Sequence, residues 1–179
     1  YLDHALDYLS PTAPRLVAVG GYSGTGKTTL ARKLAPSIAP VPGAIHLRSD
    51  LERKAMFGVD PLSGLPQSAY SETAGKQVYA RLLAQADRSL RAGHSVIFDA
   101  VFAREEERQA LAELARQREV RFSGLWLHAD RDTLVSRVSA RQGDASDADE
   151  TVVLRQLASG EGATDWVRVE SSGDVRDVL

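Results

Sequence analysis

Apolar residues follow two rhythms along this chain. Short, mainly apolar runs occur at Leu16-Val17-Ala18-Val19, Ala44-Ile45-His46-Leu47, Val96-Ile97-Phe98, Phe122 to Leu127 and Trp166-Val167-Arg168-Val169. Between them, apolar residues recur every three or four positions, as on one face of a helix. In the longest such stretch, from about Ser71 to Ala92, Tyr79, Leu83, Ala86 and Leu90 share a face and Gly93 stands at the C-cap. Further helices are predicted from about Lys27 to Ala35, Leu51 to Phe57, Ala103 to Glu119 and Arg131 to Arg141. In the helix from Ala103, Glu105, Glu106, Glu107 and Arg108 are expected outward, with Leu111 and Leu114 inward. Asp147-x-x-Glu150 has the form of a capping box opening one more helix.

Strands alternating with helices predict an α/β fold with a parallel sheet and right-handed crossovers. The run Val96 to Phe98 has the unbroken apolarity of a strand covered on both faces. Prolines and glycines mark the breaks, and Gly58 to Gln67 reads as a loop or lid-like excursion. Leu2, Ala5, Leu6 and Leu9 line up on one helical face ahead of Pro11 and Pro14. Residues 1–14 are therefore expected to be a linker helix or the tail of an upstream domain, and 15–179 the main domain. Asp174 to Leu179 is expected to be a short terminal helix.

The 179 residues suit one domain with a proper core. With 43% hydrophobic and 26% charged residues the composition is that of a soluble globular protein. A net charge of −2 offers no general attraction for long nucleic acids, which are not expected as partners. The absence of cysteine excludes disulfides, zinc–thiolate sites and cysteine nucleophiles. No run reaches membrane-spanning length and no signal peptide is visible, so a cytoplasmic protein without membrane contact is expected.

The strongest chemical signal follows the first strand. Gly20-Gly21-Tyr22-Ser23-Gly24-Thr25-Gly26-Lys27-Thr28-Thr29 contains the phosphate-loop pattern G-x-x-x-x-G-K-[ST], begun by Gly21 and closed by Gly26, Lys27 and Thr28. An apolar strand before it and a helix after it are the setting this motif requires. Its glycines let successive N–H groups turn inward around an anion, at the positive end of the helix dipole. Gly21, Ser23, Gly24, Thr25, Gly26, Lys27, Thr28 and Thr29 are the candidate triphosphate-binding residues. Lys27 would reach the β- and γ-phosphates and Thr28 would ligate Mg²⁺.

A phosphate loop alone does not separate kinases from GTPases, motor ATPases or transporters. Asp50-Leu51-Glu52-Arg53 lies directly after the second strand, where ligands collect in open α/β sheets. Asp50 is placed to take a proton from an acceptor hydroxyl, and Arg53 to clamp an anionic acceptor. The alternative is an N-capping aspartate with a solvated arginine. Asp99, at the end of the third apolar strand, is a candidate to hold Mg²⁺ through water or to accept from a substrate hydroxyl. Arg137 and Arg141, four apart on one helix, suit a lid over the transferring phosphoryl group. The acidic run Asp144, Asp147, Asp149 and Glu150 lacks calcium-loop spacing and is read as capping and solvated charge. His4, His46, His94 and His128 show no metal-ligand spacing; His46 lies nearest the site.

Gly21 to Thr29, Arg48-Ser49-Asp50 with Arg53-Lys54, Phe98-Asp99-Ala100 and Arg137 to Asp147 together resemble the small P-loop kinases of bacteria. That group includes zeta toxins, gluconate kinase, shikimate kinase and polynucleotide 5′-kinase. The likeness extends to the kinase module found C-terminal to aminoglycoside-phosphotransferase-like domains, and covers nearly all of the chain from Arg15 onward. It implies a three-layer sandwich with a five-stranded sheet of order 2-3-1-4-5, helices on both faces, and ATP with Mg²⁺. It matches Asp50 to the acceptor-activating Asp, Arg53 to the acceptor-side Arg, and Arg137 or Arg141 to the lid arginine. It leaves the acceptor open. The expectation is an ATP-dependent phosphotransferase with Lys27, Asp50, Arg53, Arg137 and Arg141 as catalytic residues, Thr28 and Asp99 toward metal, and a small-molecule hydroxyl acceptor. The alternatives are a 5′-hydroxyl nucleotide or polynucleotide kinase, and a regulatory ATPase module serving a fused or partner phosphotransferase-like domain.

Overall fold

The computed structural model describes residues 12–141, 143–160 and 164–173. The expected helices at 1–9 and 174–179 lie outside the described residues. Five parallel strands form one sheet in the order β2-β3-β1-β4-β5: β1 (Arg15–Gly21), β2 (Ile45–Arg48), β3 (Val96–Asp99), β4 (Arg121–His128) and β5 (Val167–Glu170). The helices are α1 (Lys27–Leu34), α2 (Ser49–Met56), α3 (Glu72–Arg91), α4 (Glu105–Gln117), α5 (Arg131–Ser139) and α6 (Glu150–Ser159).

The two-residue period of β1 decides the layers. Leu16 and Ala18 join one core cluster with Val78, Leu82, Ala86 and Leu90 of α3 and with Leu111 and Leu114 of α4. Val17 and Val19 join the opposite cluster with Leu30 and Ala31 of α1. Successive side chains of a strand point to opposite faces, so one heptapeptide serves both layers. All four residues of β3 are buried, as a central parallel strand requires.

Helix α3 buries Ala74, Val78, Leu82, Ala86 and Leu90. Tyr79 and Leu83 sit at the margin of that stripe, partly buried against the core. Ser71 caps the N-terminus by accepting from the Ala74 N–H. At the other end Gly93 has φ 84°, and the Gly93 and His94 N–H groups donate back to Leu90 O and Ser89 O. This closes the helix with the paired bonds of a left-handed glycine stop.

Helix α2 inverts the usual pattern. Lys54 is 1% exposed and Glu52 8%, while the apolar Leu51 and the C-cap residue Phe57 are 37% and 38% exposed. Glu52 accepts from Arg81 Nε and, at 2.6 Å, from Gln85 Nε2, which ties α2 to α3. A helix that turns its charges inward is organised around polar chemistry rather than around the core. Among the described residues no helix is long and apolar enough to cross a membrane.

Candidate active site

The turn from β1 to α1 wraps a hollow at the carboxyl edge of the sheet. Gly21, Gly24 and Gly26 all have positive φ. At Gly24 (φ +89°) a Cβ would lie 2.7 Å from Leu134 O, so only glycine lets the loop pass this close to α5. Among the described residues, no hydrogen bond takes the backbone N–H groups of Gly24, Gly26, Lys27 or Thr28. Four donors left at a helix N-terminus form an anion cradle. Lys27 Nζ donates to Tyr22 O at 2.8 Å, which folds the lysine back over its own loop. Thr25 Oγ1 also donates to Tyr22 O, at 2.8 Å, and the Ser23 N–H donates to Gln156 Oε1 at 2.8 Å.

A cleft of about 730 Å³ opens from this loop across the strand ends, and Lys27, Asp50, Arg53, Asp99, Arg137 and Arg141 all line it. Asp99 is 4% exposed and accepts from Thr28 Oγ1 at 2.6 Å. His46 Nε2 lies 3.3 Å and Arg48 Nε 3.6 Å from the same carboxylate oxygen. Thr28 and Asp99 thus present two hard oxygen donors side by side, a set that suits Mg²⁺ completed by phosphate oxygens. Among the described residues no group of three or more His, Cys, Asp or Glu could hold a metal.

Asp50 occupies the first turn of α2, whose N-cap is Arg48, so the aspartate does not cap the helix. Asp50 faces the phosphate loop electrostatically: burial and the Asp99 carboxylate push its pKa up, against the opposing pull of Lys27, Arg48 and Arg53. Lys27 shows the mirror image. Burial pulls its pKa down, Asp99 and Asp50 hold it up, and Arg141 adds a further downward push. The carboxylate and the lysine line one cleft, and each feels the other's charge.

Arg53 donates through Nη1 to Ala69 O at 2.7 Å, and its guanidinium carbon lies 5.1 Å from the centre of the Tyr70 ring. Its Nε is buried without a partner. The arginine braces the short 3₁₀ turn Gln67–Tyr70 at the mouth of the cleft.

The two candidate lid arginines differ. Arg137 donates to Ser171 O at 2.7 Å and Gly173 O at 2.8 Å, with longer contacts to Gly24 O and Ser172 O at 3.4 Å. It clamps the loop after β5 to the phosphate loop through these backbone carbonyls, and it lines the cleft as well. Among the described residues no ion pair or side-chain hydrogen bond takes the Arg141 guanidinium, which leaves it available at the cleft wall.

The acidic run is not simply solvated. Asp149 does cap α6, accepting from the Val152 N–H at 2.9 Å. Asp147, expected as the capping residue, instead accepts from Lys54 Nζ at 2.6 and 2.7 Å, from the Leu65 N–H at 3.1 Å and from the Tyr70 hydroxyl. Asp144 accepts from Arg48 Nη2 at 2.7 Å. Burial works against ionisation of both aspartates, and the bonds from Lys54 and Tyr70 to one and from Arg48 to the other outweigh it, so both pKa values lie below the usual range. The segment around Asp144 and Asp147 is thereby fastened to the acceptor side of the cleft.

The outward placing of Glu107 and Arg108 is also corrected. Arg108 is 6% exposed and donates to Phe102 O and Ala103 O, holding the turn after β3. Glu107 lines the cleft together with Tyr70 and Tyr79. The sequence carried one clue to the missed residues: Asp50, Arg53 and Lys54 stand at i, i+3 and i+4, hence on one helix face. Nothing local pointed to Gln156, Tyr70 or Glu107.

Sheet order, phosphate loop and strand-end carboxylates together define a P-loop nucleotide-binding domain of the small-kinase fold. The sequence profile of the AAA domain matches residues 16–162, and the chain belongs to that family. Its fold is similar to that of a sugar kinase from Janibacter (TM-score 0.62, 24% identity, 88% of this chain and 84% of that one). It is similar too to a gluconokinase from Sinorhizobium meliloti (0.60, 19%, 93% and 87%). Uncharacterized proteins of Mycobacterium tuberculosis and Mycobacterium bovis are 30% identical over 176 residues, or 94% of this chain. The chain spans 34% of the length of these relatives.

Proposed function

We propose that this domain is an ATP- and Mg²⁺-dependent phosphotransferase that moves the γ-phosphoryl group to a hydroxyl of a small molecule. The observation that carries the reading is that Asp50 and Lys27 line one cleft, each within the other's electrostatic reach. A carboxylate in that cleft with a raised pKa is suited to accept a proton from an acceptor hydroxyl.

In this reading the unpaired N–H groups of the loop and Lys27 hold the triphosphate. Thr28 and Asp99 would hold Mg²⁺, which when bound neutralises charge on the β- and γ-phosphates. Asp50 orients the acceptor hydroxyl and takes its proton as the new oxygen–phosphorus bond forms and the bond to the β-phosphate oxygen breaks, releasing ADP. Arg141 meets the charge on the equatorial oxygens. Most of the acceleration comes from positioning and charge stabilisation.

The test is transfer of label from γ-labelled ATP to compounds in a metabolite pool. Labelled organic phosphate supports the reading, and inorganic phosphate alone across a broad acceptor panel overturns it. The greater length of the mycobacterial relatives favours one second reading, a nucleotide-dependent module serving another domain, and that same result would select it.

A further inference from the structure

The acceptor side of the cleft has a charge balance that bears on what it admits. It is bounded by Arg53, Tyr70, Glu72, Tyr79, Arg104 and Glu107. Both cations are engaged. Arg104 Nη1 pairs with Glu72 at 3.4 Å, while Arg53 donates to Ala69 O and lies over the Tyr70 ring. Glu107 is the reverse case. It is half-buried, it accepts from the Arg104 N–H at 3.3 Å, and it interacts with the Tyr79 hydroxyl, which itself accepts from the Phe102 N–H at 3.0 Å. Among the described residues no cation lies within ion-pair distance of its carboxylate. Three neighbouring carboxylates do have such a partner: Glu72 has Lys76 and Arg104, Asp144 has Arg48, and Asp147 has Lys54.

The wall therefore carries, besides Asp50, one carboxylate with no cation in contact with it. Burial in this wall pushes the Glu107 pKa up, and the Arg104 N–H, the Tyr79 hydroxyl and the more distant charges of Arg104 and Arg108 oppose it without cancelling it. At this end of the cleft an acceptor's carboxylate or phosphate would meet Glu107 with Arg53 and Arg104 already engaged, while in the phosphotransferase reading Arg141 serves the phosphoryl group. An ammonium group would supply the missing charge through a charge-assisted hydrogen bond.

We propose that the acceptor is a polyhydroxyl compound bearing a protonated amine, its ammonium on Glu107 and its reacting hydroxyl toward Asp50. Glu107 then determines specificity, and the assignment rests on the phosphotransferase reading only for the fate of the hydroxyl. Selection follows from pairing a buried charge, since a site built for an ionic partner rejects analogues that leave it unpaired.

The experiment is calorimetric titration of the domain, loaded with a non-hydrolysable ATP analogue and Mg²⁺, near neutral pH. The probes are a hexose and a cyclitol, each as the parent hydroxyl compound, the amine, the carboxylate and the phosphate ester. On at least one scaffold the amine should bind about tenfold or more tighter than its parent. Glu107→Gln keeps an oxygen for the Arg104 N–H and should erase that preference, so that amine and parent bind the variant alike, with the unfolding midpoint as the check that it is folded. Equal affinity for amine and parent, preference for the acid or the ester, no binding of either amine, or a preference that survives in Glu107→Gln overturns the proposal. Labelled-ATP assays on the same probes separate the two readings. Transfer to an acid refutes the amine assignment and leaves the kinase standing, whereas amine binding without any transfer does the opposite.

Discussion

Lys54 Nζ lies 2.6 Å from Asp147 Oδ1 and 2.7 Å from Oδ2, joining residues 93 positions apart across the mouth of the cleft. The lysine also donates to Ser63 O, and the aspartate accepts from Tyr70 and the Leu65 N–H. One ion pair thus gathers the loop after α2, the 3₁₀ turn and the segment leading into α6. Arg48–Asp144 makes a second tie nearby. Together they hold the chain just after Arg141 against the acceptor side, which keeps that arginine at the wall of the cleft.

Breaking the first tie should cost stability. Lys54→Ala strands a carboxylate whose surroundings were built for a cation, a loss of about 2–3 kcal/mol given that Asp147 remains about a quarter exposed. Urea unfolding of the variant measures it directly. A change under about 0.5 kcal/mol would mean that the pair is ornamental.

Lys27→Ala should leave the fold intact and remove nucleotide-dependent turnover by a factor of about 100 or more, because a charge aimed at the triphosphate is lost. Titration with labelled ATP, with circular dichroism as the check on folding, reads both halves of this expectation.

Asp50→Asn should keep nucleotide affinity and lower phosphoryl transfer roughly 100-fold or more, as loss of a general base does. Burial and Asp99 raise the Asp50 pKa, so wild-type transfer should climb with pH through that raised value as the carboxylate ionises. The Asn variant should lack this limb. Stability runs the other way. A carboxyl whose folded pKa exceeds its unfolded one binds more protons when folded, so its contribution is present at low pH and fades as pH rises through the raised value. Asp50→Asn should therefore flatten the loss of stability on the alkaline side of the ordinary carboxylate range. Transfer that is unchanged in the variant would remove Asp50 from the mechanism.

The two arginines of α5 and its C-terminal end should separate cleanly. Arg137→Ala releases the carbonyls of the loop after β5 and should destabilise the domain by about 1–3 kcal/mol. Arg141→Ala should leave the unfolding midpoint within about 0.5 kcal/mol of wild type and lower kcat by about 100-fold or more. The reverse pattern would exchange the roles assigned to them.

Chelation tests the metal assignment. Removing Mg²⁺ with EDTA should abolish transfer, and restored metal should recover it. Thr28→Ala should raise the Mg²⁺ concentration needed for half-maximal rate without altering the fold, since its hydroxyl is one of the two protein oxygens at that position.

Much of this architecture was legible before any coordinates. The runs at 16–19 and 96–98 became the central strands, and Gly93 ended α3 where a left-handed residue was called for. Such features depend on backbone conformation and on a period of two or 3.6, and both are written into neighbouring residues. The phosphate loop was readable for the same reason, since its anion cradle consists of successive backbone N–H groups whose conformation the glycines permit.

The polar half of the cleft was not readable in that way. Asp147, which reads as a helix cap, neutralises Lys54; Glu107, which reads as solvent-facing, lines the cleft; and Arg137, which reads as a lid arginine, also holds the loop after β5. A carboxylate suits a cap, an ion pair or a ligand equally well, and the choice depends on which distant loop folds against it. The sequence by itself determined the strands, the helices and the loop that cradles phosphate, because those follow from local sterics and periodicity. Only the tertiary structure decided which charges pair and which, like Glu107, are left facing the cleft, because pairing is a property of distance in space and not of spacing along the chain.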